Sequence, residues 1–459
     1  MGVSRIKLNR GFTIVELLIV IVVIAVLAAI TIVAYNGIQN QARDSALKSD
    51  AQTVATLMEA HKAIHGSYAL TATALNNGSG LPTGSGYTTL FHSDGASYCV
   101  SLTSTVTTAR YFVASTQASP TAGGCPQDEG AQVTSLAGSG TLGFANGSGE
   151  AAVLASPVAL SAGSGVLYFT DSSTSRVRQV TNAGVVSTIG GNGPTGTTEG
   201  IGNAALFNWP QAVSLGFNGH LYVADSNNQR IRQVPLNSTT TSTFAGLSTT
   251  VTTVGFTDAT GTAARFNVPR GIAYDSTRGY LYVADSQNNR IRRITAAQVV
   301  DTLAGQSGGG AIDHETGTSA QFNYPGGLAI DGAGNIYVAD TNNHRIRKVT
   351  PTGSVSTLAG STSGNQDGTG AAARFSSPTA VAVTEGGVVY VADTNNHSIR
   401  KITPEGTVTT IAGSGSSGYA NGSGTDALFN GPKGIALGSD GRLYVSDTLN
   451  HRIRVLTNI

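Results

Sequence analysis

Two cations and two aromatic side chains stand directly beside four of six prolines that recur along the second part of the chain. The residues on the two sides of each proline are Ser156/Val158, Trp209/Gln211, Val268/Arg270, Tyr324/Gly326, Ser377/Thr379 and Gly431/Lys433. Cations attract anionic groups, and aromatic faces offer stacking surfaces to a ligand. We therefore predict a binding site for an anionic or sugar-rich ligand, such as a glycan or an anionic polymer. Its candidate contacts are Trp209, Gln211, Arg270, Tyr324 and Lys433. The alternative is that these side chains pack on neighbouring loops.

Catalytic chemistry finds no support at these positions. They bring no cluster of His, Asp or Glu to the cations, and the chain has no nucleophile motif, phosphate loop or metal-ligand spacing. We predict that the protein is not an enzyme and holds no cofactor and no metal. His344, His397 and His451 recur at one turn position and invite a zinc hypothesis. Equivalent turns of neighbouring repeats are too far apart, however, for ligands about 2 Å from one ion.

The prolines belong to a pattern that returns six times after residue 130. Each unit reads, with variations, Pro, a short apolar strand, a turn, Tyr-Val-Ala-Asp, an Asn-rich turn, Arg-Ile-Arg and Thr-Leu-Ala-Gly. Four strand-sized runs in each unit predict one blade of a β-propeller. The aspartates that close the second strand are Asp171, Asp225, Asp285, Asp340, Asp393 and Asp447. Because all units share them, we interpret them as scaffold that holds the following turn and pairs with the arginines between blades.

The run Leu-Tyr-Val-Ala-Asp-Ser-Gln-Asn-Asn-Arg-Ile-Arg at residues 281–292 closely resembles NHL-repeat propellers, and the resemblance covers residues 131–459. The last unit ends after its third strand, and the run at residues 133–138 matches the missing fourth strand. We therefore predict an all-β, six-bladed ring closed by the strand from Val133 to Ala137, which removes exposed sheet edges. Strand parity places the Asn-rich turns and the inter-blade loops on one face, and the entry of the chain on the other.

Overall composition limits the partners of the protein. Only 12% of the residues are charged and the formal net charge is +1, so we expect no specific nucleic acid partner. The 59 glycines, together with many Ser and Thr residues, indicate many turns, short strands and a chain that works outside the cytoplasm.

The N-terminal part of the chain carries a membrane signal. Residues 12–34 are apolar apart from Thr13, Glu16 and Thr31, and about 20 such residues cross a bilayer as a helix. Basic residues precede the span, so the positive-inside rule places the N-terminus in the cytoplasm and the rest outside. The apolar run is too long for a secretory signal peptide and continues as an amphipathic helix to residue 65. Glu16 is unfavourable in such a span by roughly 3 kcal/mol, which implies a partner charge.

The run Arg10-Gly11-Phe12-Thr13-Ile14-Val15-Glu16-Leu17-Leu18 resembles the processing site of type IV pilins and pseudopilins. The resemblance implies that prepilin peptidase cuts after Gly11 and that Phe12 becomes the methylated N-terminus. It also implies that Glu16 neutralises the amine of Phe12 on a neighbouring subunit during assembly. The implied partners are prepilin peptidase, other pilin subunits and, before assembly, the membrane. One departure from many pilins is that the helix contains no proline.

A small globular region follows the helix. Gly- and Thr-rich loops surround two strand-like runs, at residues 97–102 and 110–115. Cys99 and Cys125 are the only cysteines and fall on the exported side, where we expect them to form a disulfide. The helix, the turn after it and the Cys-closed loop resemble small α+β pilin domains. The predicted domains are a leader at 1–11, the transmembrane and assembly helix at 12–65, the pilin region at 66–130 and the propeller at 131–459.

Three functions fit this multidomain chain. The favoured one is a minor, tip-located pilin-like subunit that displays the propeller as an adhesive head. It would be a single-pass membrane protein with a cytoplasmic N-terminus before assembly, and would reach the cell surface as part of a pilus afterwards. The second is a pseudopilin-like secretion component whose propeller docks partner proteins. The third is a displayed enzyme, because similar propellers include lyases and lactonases.

Overall fold

The chain divides into two compact units, Met1–Asp128 and Glu129–Ile459. The computed structural model describes residues 14–65, 68–69, 87–93, 98–104, 110–115, 121–122, 130–237, 239–247 and 254–459, with only the backbone for 14–37, 87–93, 110 and 121–122.

The first unit contains one long helix and a small antiparallel sheet. The helix, α1, spans Ile14–His65. The strands, in sheet order, are β1 (Tyr87–Ser93), β2 (Tyr98–Ser104), β3 (Arg110–Ala114) and β4 (Thr121–Ala122). Two of them match the strand-like runs in the sequence, whereas β1 falls in a stretch that the sequence analysis read as loop.

The C-terminal part of α1 supplies half of a hydrophobic core. Leu47, Ala51, Val54 and Met58 recur at helical spacing and are buried with Val100, Leu102 and Val113 of the sheet. Residues 38–46 of the same helix are largely exposed. Among the helix residues whose side chains the structure describes, Leu47 is the first that belongs to the core.

Several sequence predictions fall where this structure gives no test. Gly11, Phe12 and Cys125 lie outside the described residues, as does the side chain of Glu16. Cleavage, methylation, assembly through Glu16 and the pairing of Cys99 with Cys125 therefore stay predictions, although Cys99 is buried in β2. Within the described part of the chain, no helix is long and apolar enough to cross a bilayer.

The second unit is a six-bladed β-propeller, which confirms that prediction. Each blade has four antiparallel strands that run in order from the inner to the outer edge. Blade 1 contains β7 (Pro157–Ala162), β8 (Val166–Asp171), β9 (Arg176–Thr181) and β10 (Val185–Gly190). Blade 2 contains β11 (Pro210–Leu215), β12 (Leu221–Asp225), β13 (Arg230–Val234) and β14 (Ser242–Gly246). Blade 3 contains β15 (Pro269–Asp275), β16 (Tyr280–Asp285), β17 (Arg290–Thr295) and β18 (Val300–Ala304).

The other three blades repeat this arrangement. Blade 4 contains β19 (Pro325–Ile330), β20 (Ile336–Asp340), β21 (Arg345–Val349) and β22 (Val355–Gly360). Blade 5 contains β24 (Pro378–Val383), β25 (Val389–Asp393), β26 (Ser398–Ile402) and β27 (Thr407–Ala412). Blade 6 contains β29 (Pro432–Leu437), β30 (Leu443–Asp447), β31 (Arg452–Thr457) and β5 (Gln132–Ala137). Short strands β6 (Gly147–Ser148), β23 (Gly368–Thr369) and β28 (Gly422–Ser423) extend blades 1, 5 and 6.

The outer strand of blade 6 comes from the beginning of the unit. β5 pairs antiparallel with β31, from Gln132 opposite Thr457 to Ala137 opposite Ile453. The predicted closure of the ring by this strand is confirmed. The chain therefore enters the propeller at the end of the blade opposite to the Asn-rich turns.

One buried aspartate organises each blade. In blade 3 the Asp285 carboxylate accepts hydrogen bonds from the N–H of Asn267 at 2.7 Å, from the Asn288 amide at 2.8 Å and from the Arg292 guanidinium at 2.7 Å. Both Asp285 and Arg292 are fully buried. The same pair recurs in the other blades as Asp171–Arg178, Asp225–Arg232, Asp340–Arg347, Asp393–Arg400 and Asp447–Arg454.

The predicted pairing between blades is wrong for these residues. Arg292 lies opposite Val283, two residues before Asp285 on the same face of the sheet, so register makes the pair diagonal neighbours within one blade. The remaining guanidinium hydrogens reach the loop that leads into the blade, at the carbonyls of Thr257 and Arg265. The Phe266 ring covers the guanidinium at 5.1 Å. One arginine thus ties the third strand to the preceding inter-blade loop.

Blades 6 and 4 allow a matched test of this pair. We expect Asp447→Asn to lower the free energy of unfolding by about 3 kcal/mol, because it leaves the buried Arg454 without a carboxylate. Asp340→Asn should cost less, since Arg347 also pairs with Asp313. Urea unfolding followed by the fluorescence of Trp209, the only tryptophan, measures both losses. Equal losses would contradict this account.

Candidate ligand-binding site at the channel mouth

The residues before the six prolines share an unusual backbone conformation. The inner strands β7, β11, β15, β19, β24 and β29 contact one another in a ring that surrounds the channel. The pre-proline residues stand at one end of it, which we call the channel mouth. Their φ angles are 60° at Ser156, 55° at Trp209, 52° at Val268, 58° at Tyr324, 51° at Ser377 and 57° at Gly431. Positive φ angles are rare for residues that carry a side chain, and they are least favourable for β-branched residues such as Val268. Because this conformation recurs in every blade, it belongs to the scaffold.

A side chain of the preceding blade holds most of these residues in place. It comes from the last residue of the Asn-rich turn and accepts the pre-proline N–H. The pairs are Gln229 with Val268 at 2.6 Å, Asn289 with Tyr324 at 2.9 Å, His344 with Ser377 at 3.0 Å, His397 with Gly431 at 3.1 Å and His451 with Ser156 at 3.2 Å. Each imidazole accepts through Nδ1, which must therefore be unprotonated. The recurrence of histidine at this turn position is explained by this contact between blades.

A second set of contacts joins the blades just below the mouth. The hydroxyl that follows the blade aspartate donates to the proline carbonyl of the next blade. The pairs are Ser172 with Pro210 and Ser226 with Pro269 at 2.5 Å, Ser286 with Pro325 at 2.6 Å, and Thr394 with Pro432 and Thr448 with Pro157 at 2.7 Å. The backbone on both sides of the candidate residues is therefore fixed by neighbouring blades.

The five candidate contacts occupy different environments. Trp209 has 44% of its surface exposed, whereas Gln211 on the same blade is only 6% exposed. Arg270, Tyr324 and Lys433 are partly buried. The guanidinium of Arg270 lies 4.7 Å from the centroid of the Tyr324 ring, which belongs to the next blade. The structure thus joins Arg270 and Tyr324, and leaves Trp209 as a separate exposed ring on blade 2.

Lys433 completes a pair of cations across the channel. It follows Pro432 in blade 6, and Arg270 follows Pro269 at the equivalent position of blade 3, on the opposite side of the ring. Burial lowers the pKa of Lys433, and the positive charge of Arg270 lowers it further. The Lys433 carbonyl accepts a hydrogen bond from the Thr379 hydroxyl at 2.9 Å. The two charges therefore influence one another within the channel.

Sequence reasoning missed a second group of aromatic residues. Phe144, Phe256 and Tyr419 lie in inter-blade loops with 43%, 43% and 39% of their surfaces exposed. Their rings stack on Arg176, Arg290 and Arg452 at 3.7, 3.8 and 4.0 Å. A glycine lies eight residues before each repeat proline, and the signal was an aromatic residue five positions before that glycine in three of the six repeats. These rings add stacking surface to the face that carries the Asn-rich turns.

Two family models match the chain. The NHL repeat matches residues 207–234, 266–294, 322–349, 375–402 and 429–456, which correspond to blades 2–6. Blade 1 lies outside these matches and has Leu154 and Thr174 where the other blades have phenylalanine and asparagine. The prokaryotic N-terminal methylation motif matches residues 6–32.

Curated relatives share the propeller region. NHL repeat-containing protein 2 of Bos taurus is 35% identical over 165 residues, which cover 33% of this chain and 23% of that protein. The Arabidopsis thaliana protein SUPPRESSOR OF QUENCHING 1, chloroplastic, is 28% identical over 282 residues, covering 58% of this chain and 27% of that protein. The matched part is thus about a quarter of the length of these relatives.

Solved structures share the fold. An auxiliary nutrient binding protein from Bacteroides thetaiotaomicron has a TM-score of 0.55 at 17% identity, covering 78% of this chain and 83% of that one. A protein of the same description from Bacteroides ovatus has a TM-score of 0.54 at 18% identity, covering 80% and 85%. At this identity the likeness establishes the fold alone.

The histidine contacts predict a pH-dependent stability. Burial lowers the pKa of His344 and of His451, where the charge of Arg452 acts in the same direction and Asp171 and Asp447 oppose it. A folded-state pKa below the unfolded value of about 6.5 stabilises the fold above that pH, and this contribution is lost as the pH falls below it.

The test compares thermal unfolding at pH 8 and pH 5. Between pH 8 and pH 5 we expect the melting temperature of a His344→Asn/His451→Asn variant to fall less than that of the unchanged protein. The reason is that asparagine does not titrate, and Asn289 already makes the same contact in blade 3. His220→Asn, in the first hairpin of blade 2, is the control and should behave like the unchanged protein. An identical pH dependence in all three would refute the role of these imidazoles.

Proposed function

We propose that this chain, which carries NHL repeats and a prokaryotic N-terminal methylation motif, is a type IV pilin-like minor subunit that displays its propeller as a binding head. The observation that carries the proposal is the presence of both features on one chain, with aromatic rings at the channel mouth and two cations there that make no ion pair with any described residue. The ligand is a glycan or an anionic polymer on a surface.

The first unit supports the filament part of the proposal. α1 has 52 residues and is therefore about 78 Å long, and the sheet packs on its C-terminal part. Residues 38–46 are largely exposed, and we propose that this stretch of α1 contacts other pilin subunits. We propose that Gly11 and Phe12 are the cleavage and methylation site and that Glu16 pairs with the N-terminus of a neighbouring subunit. Before assembly the helix would anchor the protein in the membrane, and afterwards the head would lie on the cell surface.

The size of the head supports a minor, tip-located position. The second unit spans Glu129–Ile459, and a compact domain of that length has a radius of gyration of about 20 Å, hence a diameter of about 50 Å. Pilin helices stacked along a filament would be offset by much less than that. A head on every subunit would crowd its neighbours, whereas a head at the tip would not.

The mouth supports a binding role for the propeller. Arg270 and Lys433 supply positive charge, while Tyr324 and the exposed Trp209 supply aromatic faces. These four residues differ from their equivalents in other blades, yet they stand on a backbone conformation that recurs in every blade. Propellers of the same fold are described as nutrient binding proteins in Bacteroides, which is a binding role as well.

Processing of the N-terminus is the first test. We expect mass spectrometry of surface material to find a chain that begins at methylated Phe12. Glu16→Ala should be cut normally and assemble poorly, because the neighbouring amine loses its counter-charge. Asp50→Ala, which removes a carboxylate further along α1, is the control and should assemble normally. An intact Met1, or equal assembly of the two variants, would remove the pilin assignment.

Binding through the mouth is the second test. We expect the labelled full chain to bind acidic members of a glycan array, and the variant Trp209→Ala/Arg270→Gln/Tyr324→Ala/Lys433→Gln to lose that binding at least about tenfold. Its melting temperature should stay within about 3 °C, so that the loss is not one of folding. Lys348→Gln/Lys401→Gln, which removes two charges from the third strands of blades 4 and 5, should bind normally. Unchanged binding by the fourfold variant would refute the channel-mouth site.

A further inference from the structure

The fully buried arginines of the propeller are paired with carboxylates, whereas the partly buried Arg270 at the mouth is not. The six arginines of the blade pairs have no exposed side-chain surface, and each contacts an aspartate at 2.7–3.3 Å. Among the described residues, Arg270 and Lys433 make no ion pair, and neither the guanidinium nor the ammonium donates a hydrogen bond. Apart from the buried Nε of Arg270, their donors are therefore available to a ligand.

The electrostatics of the mouth favour an anion. The other four positions that follow a proline hold Val158, Gln211, Gly326 and Thr379, so no carboxylate joins the two cations in this ring of side chains. Two like charges in a partly buried channel disfavour one another, and burial strengthens the effect because water screens them less. Burial and the charge of Arg270 accordingly lower the pKa of Lys433. A negative charge between the two cations would offset this repulsion.

Both cations stand on a fixed frame. The Tyr324 ring lies under the Arg270 guanidinium. The backbone N–H of Tyr324 donates a hydrogen bond to the side chain of Asn289 at 2.9 Å. The carbonyl before Arg270 accepts the Ser226 hydroxyl, and that before Lys433 accepts the Thr394 hydroxyl. The Lys433 carbonyl is bound as well, by Thr379. The backbone that carries both cations is therefore fixed, and the Arg270 guanidinium is also held by the Tyr324 ring, which lowers the entropic cost of binding a ligand.

We infer that the channel mouth is an oxyanion site, in which one carboxylate, phosphate or sulfate group lies between Arg270 of blade 3 and Lys433 of blade 6. The inference rests on the proposed binding function and names the chemistry that the ligand must present. Tyr324 positions the guanidinium, and Trp209 is left to contact a more distant part of a larger ligand. A guanidinium and an ammonium on opposite walls bind the anion from two sides.

Calorimetric titration of the full chain, purified in detergent, tests the site with phosphate, sulfate and glucuronate. Glucose is the neutral control, and chloride balances the ionic strength. We expect at least one of the three anions to bind with one site per chain and glucose not to bind. Stronger binding of glucuronate would identify a carboxylate-bearing sugar as the ligand, and stronger binding of phosphate or sulfate a phosphorylated or sulfated one.

Single variants separate the site from general charge attraction. Arg270→Gln and Lys433→Gln should each weaken anion binding about tenfold or more, because each removes one of two charged contacts. Lys433→Arg should retain most of the affinity. Lys401→Gln, which removes a partly buried lysine whose pKa burial also lowers, is the matched control in β26 and should bind normally. Without anion, Arg270→Gln should melt at or above the temperature of the unchanged protein, which shows that it folds.

The outcomes are distinct from those of the proposed function. No binding of any anion, unchanged affinity in both glutamine variants, or an equal loss in Lys401→Gln would overturn the oxyanion site. If the chain then still binds the glycan array through the mouth, the binding head stands and only its anion chemistry is wrong. Anion binding without array binding would support the oxyanion site and count against the glycan-binding head.

Discussion

The fully buried aspartate–arginine pair of each blade is the interaction on which the rest of the propeller depends. Charge is tolerated in a protein interior when it is paired and its remaining hydrogen-bonding capacity is used. Here the carboxylate also accepts the N–H two residues before the proline and, in blades 2–6, the amide of the Asn-rich turn. The arginine in turn binds carbonyls of the loop that enters the blade. One ion pair therefore holds four segments of chain, including the segment that leads to the channel mouth.

Much of the propeller was predictable because its sequence repeats. Six copies of one pattern give the number of blades, and a fourth-strand sequence at residues 133–138 gives the closure. Pairing within a blade was not predictable in the same way, because Asp285 and Arg292 meet diagonally through a register that only the folded sheet defines. The role of the histidines was also hidden, since His344, Asn289 and Gln229 look unlike one another yet accept the same N–H. β1 was missed because its run of Tyr, Thr and Phe is set among turn-rich residues without a repeat to confirm it.

The candidate site was predictable only in part. Variation beside the recurrent proline points to positions that lie at one end of the channel, but proximity in the sequence does not give proximity in space. Arg270 and Tyr324 lie 4.7 Å apart although 54 residues separate them in the numbering, because adjacent inner strands bring equivalent positions together. Gln211 and Trp209 flank the same proline, yet Gln211 is nearly buried while Trp209 is exposed. The exposed rings of Phe144, Phe256 and Tyr419 recur in only half of the blades, so a comparison of all six repeats does not reveal them as a shared feature.

The closing strand determines how the propeller would respond to mechanical load. Tension between the entry of the chain at residue 131 and a ligand at the mouth acts along β5, which runs from Gln132 toward the end of the blade with the Asn-rich turns. The hydrogen bonds of an antiparallel pair lie perpendicular to the strands. Such a pull would therefore shear the bonds between β5 and β31 together instead of peeling them apart one at a time. Because the strand that closes the ring is also the strand by which the chain enters it, the propeller would resist force best in the direction in which an anchored, ligand-bound head would be pulled.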